Sequence, residues 1–263
     1  MTDNKTKIQM FFENNAHEYS TENYNIRNNK LMIIRLNTII NLVKKYLPNK
    51  NINILDLGCG SGDIALSLAE LNYKGDALDY SPGMIKICKK KLSNYKWNVF
   101  LKNAENTNLP NQSYDLIIAS GLIEYYPEDK ILLNEINRLL KKNGILIINV
   151  TNKYGYSTCL NSFSFYFKQN FFYKFLKTKI FKLNYGVVDF KSRKHRINKF
   201  KKELNDCSFS IIHEKYIGFT LLPSPFLTLF NFITYKIDIK LEKLSNSFLR
   251  YLGASCIVLC KKN

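Results

Sequence analysis

The stretch ILDLGCGSGD, residues 54–63, sets glycine at 58, 60 and 62 directly after an apolar run and follows them with Asp63. Glycine spaced this way lets bare main chain approach a ligand closely, at the strand-to-helix turn where open α/β sheets bind. Phosphate, dinucleotide and uncharged nucleoside all compete for such a turn. A P-loop needs a Lys-Ser/Thr pair after its last glycine, and here Asp63-Ile64 stand in that place. A dinucleotide turn reads G-x-G-x-x-G and rests a pyrophosphate on the helix start. Asp63 would repel that group at a cost of about 1 kcal/mol or more. The same carboxylate suits the helix dipole when no anion competes for it.

The residues thus favour an adenosine-type ligand without phosphates. S-adenosylmethionine fits, being an adenosine joined to a zwitterionic amino acid through a cationic sulfur. Asp56 and Asp63 would surround that cation with negative charge. A second acid is expected at the end of the second strand, to accept the two ribose hydroxyls. Asp79 stands there in GDALDYSPGM, 21 residues after Gly58. Met84 and the turn KNAEN, Lys102–Asn106, offer an adenine shelf. No His/Cys/Asp/Glu cluster has metal-ligand spacing, so no metal is expected.

These residues need a scaffold, and hydrophobic periodicity supplies it. Residues 5–47 have helical spacing, clearest in LMIIRLNTIINLVKKYL, and Pro48 closes the run. NINILDL, KGDALDY, WNVFLKN, SYDLIIAS and GILIINV read as strands. Between them IALSLAEL, SPGMIKICKKKL and EDKILLNEINRLLKK read as helices, the second with Ser81 as N-cap and the third ended by Asn143-Gly144. Alternation of this kind predicts a Rossmann-like α/β fold with a mostly parallel sheet covered on both faces. Later, NKFKKELNDCSF reads as a helix, SIIHEKYIGF and ASCIVLCKK as strands, and residues 226–252 as mostly helical. The expected divisions are an N-terminal helical cap (1–48), a ligand-binding core (49–152), an aromatic and basic lid (153–194) and a C-terminal part of the core (195–263).

ILDLGCGSGD, LDYSPGMI, NAENTNLPNQSYDLIIASGLIEYYPE and INRLLKKNGILIINVTN together resemble a class I S-adenosylmethionine-dependent methyltransferase, of the branch that serves quinone and natural-product biosynthesis. The resemblance covers residues 50–152 and implies seven strands, the last antiparallel. It implies that Asp56, Gly58 and Gly60 line the methionine moiety, Asp79 holds the ribose, Ser81 and Met84 flank the adenosine, and Ala104 and Glu105 border adenine. Ser120 and Gly121 would lie beside the methionyl group, and Arg35 would pair with its carboxylate. The chain departs from the family pattern at Asn103, where Asp is usual, and at Tyr125, where many relatives carry His. The Asn103 amide oxygen can still accept from an adenine amino group.

Methyl transfer from a sulfonium is a displacement helped chiefly by alignment, and a base is needed only if the acceptor loses a proton. His17, on a helix expected over the cofactor mouth, is the candidate base, and Tyr19 the candidate for orienting an acceptor. Tyr125 is a poor base because a phenol titrates near 10. His195 and His213 are expected to be structural.

Charge and composition bound the acceptor. The net charge is +18, yet 33 of the 39 basic residues are Lys, whereas base and phosphate readers lean on Arg. Nucleic acid is therefore not the expected partner. Residues 162–183 pack nine aromatics and five lysines, a pattern suited to an apolar substrate pocket, to contact with an anionic membrane surface, or to a helical cap. The six cysteines form no C-x-x-C pair, no secretory segment is read at the start, and no apolar run spans a bilayer, so a cytoplasmic protein is expected. The expected substrate is a hydrophobic small molecule, lipid-like or carrier-bound, methylated on oxygen, with S-adenosylhomocysteine as co-product. An RNA or protein methyltransferase, or an inactive cofactor-binding subunit, is the alternative.

Overall fold

The β-branched and leucine-rich runs of the sequence form one seven-stranded sheet. The structure is a computed structural model that describes residues 4–22, 30–159, 192–220, 237 and 240–263. The strands are β1 (Ile54–Leu57), β2 (Gly75–Asp79), β3 (Trp97–Leu101), β4 (Tyr114–Ser120), β5 (Leu140–Thr151), β6 (Phe209–Ile217) and β7 (Ser255–Lys262). Their order is β3-β2-β1-β4-β5-β7-β6. The first five strands are parallel, and β7 runs antiparallel to both β5 and β6. The predicted Rossmann-like architecture is therefore present. Its strand order reverses between β1 and β4, which opens a crevice at their carboxyl ends.

Alternating side chains divide the core into two layers. Leu55, Ile117 and Ile148 face α6 (Asp129–Leu139) and α7 (Ile197–Asp206), against Leu132, Ile136 and Phe200. Ile54, Ile118 and Ile147 face α3 (Lys30–Tyr46), α4 (Asp63–Ala69) and α5 (Pro82–Leu92), against Val43, Leu68 and Cys88. Burial on both faces accounts for the apolar runs of the central strands. Ser81 caps α5 as predicted, its Oγ accepting the Met84 N–H at 3.3 Å with Pro82 in the first turn.

One expectation is corrected. The helix read to Lys142 ends at Leu139, and β5 starts at once at Leu140. Asn143, at φ 63°, and Gly144 sit at an irregularity where the pairing of β5 with β4 shifts between Tyr114 and Leu116. Lys141 is held there by Asp115, at 2.8 and 2.9 Å, which favours extended chain over a further helical turn. Of residues 226–252, read as mostly helical, the described ones are α-helical at 237, 240 and 241 and continue in two short 3₁₀ helices, Glu242–Asn246 and Phe248–Leu252. The aromatic and basic segment 162–183 lies outside the described residues. Among the described residues, no helix is long and apolar enough to cross a membrane. All six cysteines are free.

Candidate active site

The glycine turn does three separate jobs. Gly58 (φ 74°) passes under Leu122, whose Cδ1 would lie 2.6 Å from an added Cβ. Gly62 (φ 82°) packs on α5, with Cys88 Sγ 2.6 Å from the same hypothetical atom. Only Gly60 (φ 52°) has open space beside it, its nearest neighbour being Tyr19 at 3.8 Å. Gly58 and Gly62 thus serve close packing of protein on protein, and Gly60 is the one that leaves room for a ligand.

That room is part of a cavity of about 360 Å³ at the carboxyl ends of β1, β2 and β4. Asp79, at the end of β2, accepts the Gly60 N–H on Oδ2 and the Ser81 N–H on Oδ1, each at 2.9 Å. The two amides fix the carboxylate in place, and each oxygen keeps a lone pair for a hydroxyl. Burial raises its pKa, opposed by the Ser81 and Gly60 amides. Asp56 is deeper, 1% exposed, with Oδ2 lacking any hydrogen-bond partner among the described residues. Burial pushes its pKa up to about 7, against the pull of the Ala65 N–H.

Helices α1 (Asn4–Asn14) and α2 (Ala16–Glu22) roof the cavity. Glu13 Oε2 accepts from Ser81 Oγ at 2.9 Å and from the Gly83 N–H at 2.6 Å, which docks α1 on the start of α5. Phe12 meets Tyr19 and Tyr125 edge-to-face at 5.7 and 5.5 Å, forming an aromatic wall. Burial raises the phenol pKa of both tyrosines, so their hydroxyls stay protonated donors. Arg35 reaches over from α3, its Nη1 2.8 Å from where a Gly121 side chain would begin. Its buried Nε has no partner among the described residues.

The cavity lining gathers nearly every residue singled out from the sequence: Tyr19, Arg35, Asp56, Gly58, Gly60, Asp79, Ser81, Met84, Asn103, Ala104, Glu105, Ser120 and Gly121. Three are placed otherwise than expected, or already engaged. Asp63 does not line the cavity: its Oδ1 pairs with Lys91 Nζ at 2.7 Å and its Oδ2 accepts from Ser61 Oγ at 2.5 Å. The acidity of the site therefore comes from Asp56, Asp79 and residues further along the chain. His17 is exposed and absent from the lining, because two helical positions separate it from inward-facing Tyr19 and turn it to another side. The structure does not bring the expected base to the site. Asn103 Oδ1 already accepts the Glu105 N–H at 3.2 Å, leaving one lone pair for a ligand. Tyr125 occupies the wall as a buried phenol, in keeping with its dismissal as a base.

His195 is buried with Nε2 3.1 Å from Asp129 Oδ1, and it stacks edge-on against Phe200, as a structural histidine does. His213 lies beside Tyr46, away from the cavity. Sequence reasoning missed Phe12, Glu13, Glu124 and Arg193. Glu124 follows the end of β4, and its role depends on Thr151, 27 residues away. No local pattern signals that pairing.

A model of a methyltransferase domain matches residues 48–182. Over 107 residues the chain is 31% identical to a ubiquinone biosynthesis O-methyltransferase of Pelagibacter ubique, covering 40% of this chain and 45% of that protein. Over 109 residues it is 36% identical to a ubiquinone/menaquinone biosynthesis C-methyltransferase of Campylobacter jejuni, covering 38% and 44%. The chain thus spans less than half the length of either relative. Among solved structures, magnesium protoporphyrin IX methyltransferase from Synechocystis, with bound S-adenosylhomocysteine, superposes with a TM-score of 0.62 at 16% identity, over 99% of this chain and 100% of that one.

Proposed function

The chain belongs to the class I S-adenosylmethionine-dependent methyltransferase family, and from that premise we propose that it methylates an oxygen of a hydrophobic acceptor, a small lipid-like or carrier-bound molecule. The observation that carries the reading is the placement of Asp79. A carboxylate fixed by the Gly60 and Ser81 amides faces the one glycine with open space beside it. A vicinal diol suits those oxygens, and a phosphate does not.

The residues present fit the cofactor. Asp56 Oδ2 and Arg35 Nε are buried, without partners among the described residues and on side chains of opposite charge, as the ends of a zwitterionic amino acid require. Met84, buried at 1% exposure, and Ala104 give an apolar surface for a purine. When bound, the cofactor supplies an electrophilic methyl on a cationic sulfur. The chain's part is to hold the acceptor in line and keep water out, for which the aromatic wall and the α1–α2 roof are built. The same wall supports the hydrophobic acceptor, since Phe12, Tyr19, Tyr125 and Tyr126 line the cavity above the glycine turn.

Calorimetry with S-adenosylmethionine tests this. Asp79→Ala is expected to weaken binding by about ten-fold or more while the fold persists. Equal affinity in the two proteins would remove the ribose assignment.

A further inference from the structure

Glu124 is a buried carboxylate that the cofactor assignment leaves unused. It sits in the 3₁₀ turn Ile123–Tyr125 after β4, 5% exposed, and lines the cavity. Its Oε1 accepts both the N–H and the hydroxyl of Thr151, each at 2.9 Å. Its Oε2 is inaccessible to solvent and has no hydrogen-bond partner among the described residues. A buried carboxylate oxygen without a donor is costly, which points to a donor brought by water or by a ligand. No arginine of the cavity supplies it in this arrangement: Arg35 approaches Gly121, Arg193 is engaged through Nη2 by Asp129 and the Ile123 carbonyl, and the buried Nε of each has no partner among the described residues.

The surroundings point to the acceptor as that donor. Glu124 is close enough to Tyr19 and Tyr125 to raise both phenol pKa values, which puts it at the aromatic wall. The backbone around it is fixed on both sides. Arg193 donates its N–H to the Glu124 carbonyl at 2.9 Å, and Thr151 closes β5. A carboxylate clamped in this way has one oxygen held by the protein and one without a donor among the described residues, which an acceptor meets once the side chains covering it part.

We propose that Glu124 Oε2 receives the hydrogen of the acceptor's reacting hydroxyl and takes its proton during transfer. The substrate class is then narrowed to compounds whose reacting atom carries a proton, and compounds presenting a carboxylate there are excluded. This rests on the methyltransferase reading above. As the acceptor oxygen forms its bond to the methyl carbon, the carbon–sulfur bond breaks with its electron pair on sulfur. The hydroxyl proton passes to Oε2, and the carboxylic acid later releases it to solvent. The negative carboxylate also disfavours a second anion beside it.

The test needs no knowledge of the natural acceptor. Binding to protein saturated with S-adenosylhomocysteine is measured by calorimetry for 4-butylphenol, 4-butylanisole and 4-butylbenzoate, which share a skeleton and differ in the group offered. The phenol is expected to bind about ten-fold or more tightly than the other two. In Glu124→Gln the amide oxygen must still face the Thr151 donors, which turns the NH₂ group toward the cavity. The order should then change, with the benzoate rising above the phenol, while S-adenosylhomocysteine affinity stays within about two-fold. Equal binding of the three probes to the wild-type protein, a preference for the benzoate, or no probe binding at all would overturn the proposal without any mutant. An unchanged order in the Gln variant would overturn it as well. Failure of the methyltransferase reading itself looks different: S-adenosylhomocysteine would give no binding heat before any probe is added.

Discussion

Lys91 Nζ lies 2.7 Å from Asp63 Oδ1, and this pair ties the start of α4 to the last turn of α5. Read from sequence alone, the aspartate after the glycines suits either a charge on the helix start or a ligand contact. Its actual partners, Lys91 and Ser61, give it a structural role. Asp63→Asn is therefore expected to change S-adenosylmethionine affinity by less than about three-fold and stability by about 1 kcal/mol. Calorimetry and a urea melt of the two proteins check both figures.

Two positions of the glycine turn separate folding from binding. Gly60→Ala places a methyl in open space at φ 52°, at a strain of about 1 kcal/mol, and fills part of the cavity. It should fold and lose most cofactor affinity. Gly62→Ala meets Cys88 Sγ at 2.6 Å on top of a φ of 82°, for a combined cost of roughly 3 kcal/mol. Its loss should appear first as a lowered urea midpoint.

Asp56 makes the ligand-free protein sensitive to pH. Burial, with smaller additions from Asp79 and Asp63, holds its folded pKa at about 7 against an ordinary 3.8, so the folded state binds the proton more tightly than the unfolded chain. Stability then falls as pH rises from about 4 to about 7, and the loss is complete above the folded value. Between pH 5.5 and 8 this amounts to about 2 kcal/mol, or a melting temperature lower by about 4 °C or more. Asp56→Asn should flatten that part of the profile, measured by calorimetric melting at both pH values. Equal slopes in the two proteins would contradict the assignment.

Glu13 is the hinge pin of the roof. Glu13→Ala removes the shared acceptor of Ser81 Oγ and the Gly83 N–H, for a loss of about 1 kcal/mol at this exposed joint. S-adenosylmethionine should leave faster by about three- to ten-fold, as read by stopped-flow displacement, and α1 should be cleaved sooner in limited proteolysis. An unaltered release rate would mean that docking of α1 does not govern escape from the cavity.

Much of the site could be read from sequence because it is local. Gly58, Gly60 and Asp79 stand at strand ends, where parallel topology brings neighbours together without side-chain detail. Asp79 reaches Gly60 because β1 and β2 pair in register, Leu57 with Leu78. The misplaced residues depended on rotation or on distant partners. His17 and Tyr19 are two positions apart on one helix, and periodicity alone does not say which of them faces inward. Position in the turn leaves Asp63 between helix charge and ligand contact, and Lys91 decides it from 28 residues later. Glu124 reads as an ordinary polar residue until Thr151 is seen beside it. The end of α6 is hidden because Asn143-Gly144 is a good helix stop, and nothing local marks Lys141 as bound to Asp115.

The position of β7 has a consequence for the order of assembly. Residues 255–262 lie between β5 and β6, which have no mutual pairing, yet β7 is the last of the seven strands to emerge during synthesis. The five parallel strands can associate early, leaving the outer rim of β5 a bare row of amides and carbonyls in the meantime. That interval, when apolar Ile145–Val150 awaits its antiparallel neighbour, is when a nascent chain is most exposed to stray intermolecular pairing.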